Sequence, residues 1–115
     1  MPISISIPSQ NVDASGRNLV YAIGTLTFTG SYATNGDTLD LTTVAEKLSS
    51  SQVVQIVADS LNGNNIYYVA VLGSSLNNHK IKVFSAGGTE LAAGAYPGGV
   101  TGDTVQVRIT ARKFL

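Results

Sequence analysis

Two Gly-Asp-Thr units are the first residues in this chain that suggest chemistry. One lies in TNGDTLDLTT at Thr34–Thr43, the other in TGDTVQV at Thr101–Val107. Each offers a carboxylate beside turn carbonyls, the oxygen donors that a hard cation such as calcium takes. An EF-hand loop also needs acids at alternating positions and a closing Glu, which neither unit supplies. Asp37 and Asp40 have odd separation, so on an extended chain they point to opposite faces. The spacing favours a plainer role, in which Gly accepts a positive φ, Asp bonds the turn backbone and a strand begins. No metal and no cofactor is expected.

Catalysis finds little support. The single histidine, His79, sits in NNHK, where a solvated turn residue is expected. No serine occupies a G-x-S-x-G elbow. The acids are Asp13, Asp37, Asp40, Glu46, Asp59, Glu90 and Asp103, and no pattern brings two of them across a cleft as glycoside hydrolysis requires. Gly87-Gly88 and Gly98-Gly99 lack the Lys and Ser/Thr of a phosphate loop. The expectation is a protein that binds, not an enzyme, with no catalytic residue.

Aromatic side chains are the remaining candidates. The chain holds five Tyr and three Phe but no Trp. Tyr67 and Tyr68 are adjacent, so on a strand one of them must face outward or into a partner. Tyr96-Pro97 in GAYPGG suits a loop-tip contact. If Tyr32, Tyr68 and Tyr96 cluster on a concave surface, they form a platform for carbohydrate or a cell surface; if they are buried, they are packing residues. With Ile3, Ile5 and Ile7 of the N-terminal stretch, they make up the candidate partner-binding set.

These residues must be positioned by strands, because strand signals dominate. Ile3, Ile5 and Ile7 alternate with Ser4 and Ser6 between Pro2 and Pro8, which suits an extended arm or an edge strand over residues 1–8. In Asn18–Gly30, Val20, Ala22, Leu26 and Phe28 share one face, while the other changes from Leu19, Tyr21 and Ile23 to threonines. After the turn Ala33–Asp37, Thr43–Ser51 is the one plausible helical turn, with Thr43 as its cap and Glu46 three residues on. Val53–Asp59, LNGNN and Ile66–Leu72 read as a hairpin. Lys80–Ser85 and Thr104–Lys113 complete the alternating runs. The pattern predicts an all-β, antiparallel β-sandwich or jelly-roll-like domain over residues 9–115, with seven or eight short strands and at most one short helical turn.

Size and charge set the outer limits. A chain of 115 residues makes one domain. It buries roughly 65% of its unfolded surface, enough for a core without staples. With no Cys, neither a disulfide nor a thiolate metal site can form. Charged residues are only 12% of the chain, a composition that suits a surface partly covered by partners. Net charge is zero, with Lys80, Lys82, Arg108, Arg112 and Lys113 gathered in the last third, too dilute for a nucleic-acid footprint. MPISISIP has neither the basic nor the apolar region of a signal peptide, and no apolar run is long enough for a bilayer.

FTGSYATNGDTLDLTTV (Phe28–Val44) and KIKVFSAGGTELAAGAYPGGVTGDTVQV (Lys80–Val107) resemble a recurrent family of small tailed-phage proteins, encoded beside the major capsid protein. The shared features are F-x-G-x-Y-x-T-x-G-D-T-L-D, the KIKVF strand and E-L-x-x-x-A-Y-P-x-x-V-T-x-D-T. The resemblance implies a virion structural protein, a head decoration (cement) protein, made in the bacterial cytoplasm and carried on the phage head. Its implied partner is the major capsid protein, its implied oligomer a trimer, with no nucleic-acid or membrane partner. A sugar-binding module of a phage tail or fibre is the alternative. An arm formed by Ile3, Ile5 and Ile7 would add a strand to a neighbour's sheet. Its removal would then leave the domain folded.

Overall fold

The computed structural model describes residues 2–48 and 52–113. Among the described residues, ten antiparallel strands run in chain order: β1 (Ile3–Ser6), β2 (Val12–Asp13), β3 (Leu19–Phe28), β4 (Ser31–Tyr32), β5 (Asp37–Leu39), β6 (Val53–Ser60), β7 (Asn65–Val71), β8 (His79–Ser85), β9 (Gly94–Ala95) and β10 (Val105–Arg112). β1, β3, β10 and β6 lie side by side in one sheet, with β2 also on β3; β5, β8 and β7 form a second; β4 and β9 pair alone. The protein is all-β, as the alternation predicts.

Period-two patterning explains which faces meet. Val20, Ala22, Leu26 and Phe28 of β3 and Val105, Val107, Ile109 and Ala111 of β10 are buried, while their odd-numbered or even-numbered neighbours face out. All of these buried residues but Val20 share a single apolar cluster with Ile81 and Val83 of β8 and Leu39 of β5 from the second sheet. Each of these two sheets buries one face, and buried residues of both belong to one core.

Two connections differ from expectation. β6 and β7 are joined by a tight turn, yet they do not pair: β6 bonds β10 and β7 bonds β8. The turn is fastened instead to the start of β10, through Leu61 N–H to the Thr104 carbonyl (3.0 Å) and Asn62 N–H to the Asp103 carboxylate (3.2 Å). The two strands therefore open onto different sheets, with Ile56, Ala58 and Tyr67 buried between them. Helical turns are also more numerous than the one expected: Ser9–Asn11, Thr42–Lys47 and Gly98–Thr101. Thr43 does not cap the second of these. Asp40 does the local work, accepting from the Thr42 N–H (2.9 Å) and hydroxyl (2.6 Å). Residues 49–51 of the expected turn lie outside the described residues.

The N-terminal stretch is an edge strand, not a free arm. β1 pairs with Thr25–Phe28 of β3, and Ile3 and Ile7 are buried in the domain's own core, with Ile5 packed against it. Gly24 makes this possible. A Cβ there would lie 2.5 Å from the Ser6 carbonyl oxygen and 2.8 Å from the Ile7 side chain. A glycine inside a long central strand marks such a close approach.

Candidate interaction surfaces

The chemistry-bearing residues of the sequence converge on three tyrosine–carboxylate pairs. Tyr96 donates its hydroxyl to Asp37, Tyr67 to Asp103 (2.9 Å) and Tyr32 to Glu90 (2.5 Å). Phe28 sits among the rings, 5.1 Å from Tyr67 and 5.5 Å from Tyr96, with Tyr32 5.8 Å from Tyr96. The edge-on geometry of the last two contacts suits ring quadrupoles. Both Gly-Asp-Thr carboxylates thus act as acceptors for buried phenols. Asp37 also takes the Ala33 N–H (3.3 Å), the turn role expected of it, while Gly36 (φ +106°) passes so close to the Ile81 carbonyl that a Cβ would lie 2.8 Å away.

Electrostatics follow from these bonds. Burial, then the Glu90 hydrogen bond, pushes the Tyr32 hydroxyl up to about 12, and burial with Asp37 or Asp103 raises Tyr96 and Tyr67 further. Burial pulls Asp103 upward, but hydrogen bonds from Ser60, Tyr67 and the Asn62 and Thr104 N–H groups outweigh it and hold the carboxyl below its ordinary value. All three phenols stay neutral donors across the physiological range.

His79 is not the solvated turn residue expected. It opens β8 fully buried, and its Nδ1 accepts the Gly73 N–H (3.0 Å), while Nε2 has no hydrogen-bond partner. Tertiary burial overrides the polar context of NNHK. Burial holds its pKa below 6.5, because the cation would be stranded and Nδ1 could no longer accept. The unfolded chain then takes up the proton first as pH falls. Stability is complete above pH 6.5 and is lost below it, by up to about 1.4 kcal/mol per pH unit. Urea midpoints from pH 7.5 to 5 should fall accordingly, and His79→Gln should flatten that part of the profile. An unchanged profile in the variant would remove His79 as the cause.

The surface offers two apolar faces. On the five-stranded sheet, Tyr21 (45% exposed) and Ile23 (38%) stand outward. Beside Ile23, a shallow groove of about 220 Å³ is lined by Asp59, Gln106 and Arg108. On the three-stranded sheet, Ile66 and Tyr68 of β7 pair across to Phe84 and Lys82 of β8. Ile66, Tyr68, Val71 and Leu72 are all exposed there, Tyr68 most of these at 58%.

Of the candidate binding residues, Tyr68 alone lies fully on the surface. Tyr32 and Tyr96 are buried, so the three tyrosines form no common platform; their hydroxyls turned inward because Glu90 and Asp37 are there to receive them. Tyr21 and Ile23 belong to the second apolar face that the sequence shows in the first half of β3, and that face is exposed in the isolated chain; Ile66 and Leu72 are exposed too and were not among the candidates. Among the described residues, no group of three or more His, Cys, Asp or Glu could hold a metal, and no helix is long and apolar enough to cross a membrane. No protein-family model, curated protein or solved structure matches this chain.

Proposed function

We propose that this all-β protein is a virion structural protein of a tailed phage, a head decoration protein that works by packing against the shell. The observation that carries the reading is the set of outward apolar side chains, Tyr21 and Ile23 on one sheet and Ile66, Tyr68, Val71 and Leu72 on the other, in a chain with few charges. Contiguous exposed apolar groups on a soluble fold mark interaction sites. The tyrosine–carboxylate ties of the core suit a rigid part, since a rigid surface loses little entropy on docking. The motif resemblance gives the partner, the major capsid protein, and the location, the head surface.

Docking falls to the Tyr21–Ile23 face, whose polar neighbours Gln106 and Arg108 supply a hydrogen-bonding rim. Purified protein mixed with heads that lack it should co-sediment with them and add density to the outer shell by cryo-EM. Ile23→Glu should lower occupancy by ~10-fold or more while leaving the circular dichroism unchanged. Wild-type protein that stays in the supernatant, or density on the tail, overturns the proposal.

A further inference from the structure

The two lateral sides of the molecule are unlike each other. β1 packs beside β5 on one side; β6 and β7 run together on the other. On the first side, a groove of about 250 Å³ is lined by Ile3, Ser4, Ile5, Asp40 and Thr43. Its floor is apolar and its one charged lining group is a carboxylate. Asp40 is held below the ordinary carboxyl range by the Thr42 hydroxyl and N–H, and so is charged at neutral pH. Lys47 of the same turn is directed onto the Ile7 carbonyl. The second side presents the converse. Ile66 and Tyr68 stand out from the sheet face at the edge strand β7, and Lys82 and Lys80 lie next to them on β8, with the Glu90 carboxylate close to Lys82.

We infer that the β7 face of one copy docks into the β1–Asp40 groove of a second copy of this chain. Apolar side chains with a basic rim meet an apolar groove with an acidic rim, which fixes both attraction and register. The two surfaces are different patches of the chain, so the contact is heterologous, and repetition closes a ring or extends a row. A standard interface of ~800 Å² per partner is about an eighth of the 6069 Å² surface of the chain. The inference concerns the isolated protein and holds whether or not heads are bound.

Sedimentation velocity of the full-length protein over a concentration series tests it. Wild type should show an s-value that rises with concentration, steeper at low than at high salt. Tyr68→Glu alters the face, and Thr43→Arg blocks the groove; both residues are exposed, so the fold is retained. Each variant alone should lose association by ~10-fold or more. An equimolar mixture should recover heterodimers, because each partner supplies the intact surface the other lacks. A wild type that remains monomeric overturns the inference. So does a Thr43→Arg protein that associates normally, which would point to a β7–β7 contact, or a mixture that stays monomeric. Loss of head binding by the Ile23→Glu variant bears only on the proposed function.

Discussion

Removal of residues 1–8 should unfold the domain. Ile3 and Ile7 are about as buried as the central strands, and β1 covers the β3 edge from Thr25 to Phe28. Truncating a single buried isoleucine to alanine costs about 2–5 kcal/mol, and a domain of this size has only about 5–15 kcal/mol in hand. The deletion takes two such residues and four strand pairings together. It also bares the Gly24 cleft, exposing backbone that Ser6 and Ile7 now cover. Circular dichroism and urea denaturation of the truncated protein should show no cooperative transition. Ile7→Ala should remain folded, with its unfolding free energy lowered by roughly 2–5 kcal/mol. A truncated protein that melts like the full chain would return β1 to the role of a detachable arm.

That outcome also measures how far the sequence could be read. Alternation in β3, β8 and β10 was legible residue by residue, because each strand has one wet and one dry face. The turn before Asp37 was legible as well, from Asn35 and Gly36, both at positive φ. Pairing was not. Val53–Asp59 and Ile66–Leu72 have the local signature of a hairpin, and only the tie from Asn62 to Asp103 sends them to different sheets. The same Ile-Ser alternation fits an arm and a docked edge strand equally, and Gly24, seventeen residues after Ile7, is what decides between them.

Polar side chains hid the rest. A histidine among asparagines looks solvated, and a tyrosine in a glycine-rich loop looks like a contact. Both are buried with a hydrogen-bond partner that the local pattern does not announce: the Gly73 N–H, six residues back, for His79 and the distant Asp37 for Tyr96. Hydrogen-bonding partners 59 residues apart leave no periodic trace. The recurrence of Gly-Asp-Thr was the one available hint, since each copy supplies a carboxylate to a different tyrosine.

Substituting either member of the Tyr96–Asp37 pair should cost about 3 kcal/mol, and substituting both should cost far less than the sum. Tyr96→Phe leaves the Asp37 carboxylate, 7% exposed, with the Ala33 N–H but without its phenol donor. Asp37→Ala leaves the phenol stranded against Phe28 and Tyr32. Either change strands a buried polar group, which costs about 1–3 kcal/mol for a neutral one and 3–5 kcal/mol when a charge loses its partner. The double variant removes donor and acceptor together, so a cycle of urea denaturations should give a coupling energy of about 1.5–3 kcal/mol. Thermal midpoints of the single variants should drop by on the order of 10 °C. The equivalent cycle on Tyr67 and Asp103 should give a smaller coupling, because Ser60 and Asn62 also donate to Asp103 and keep it satisfied when the phenol is gone. If Asp37 served the turn alone, Tyr96→Phe would cost less than about 1 kcal/mol and the two substitutions would add. Strict additivity would therefore reduce Gly-Asp-Thr to a strand-starting turn; strong coupling makes it the anchor of the aromatic cluster around Phe28.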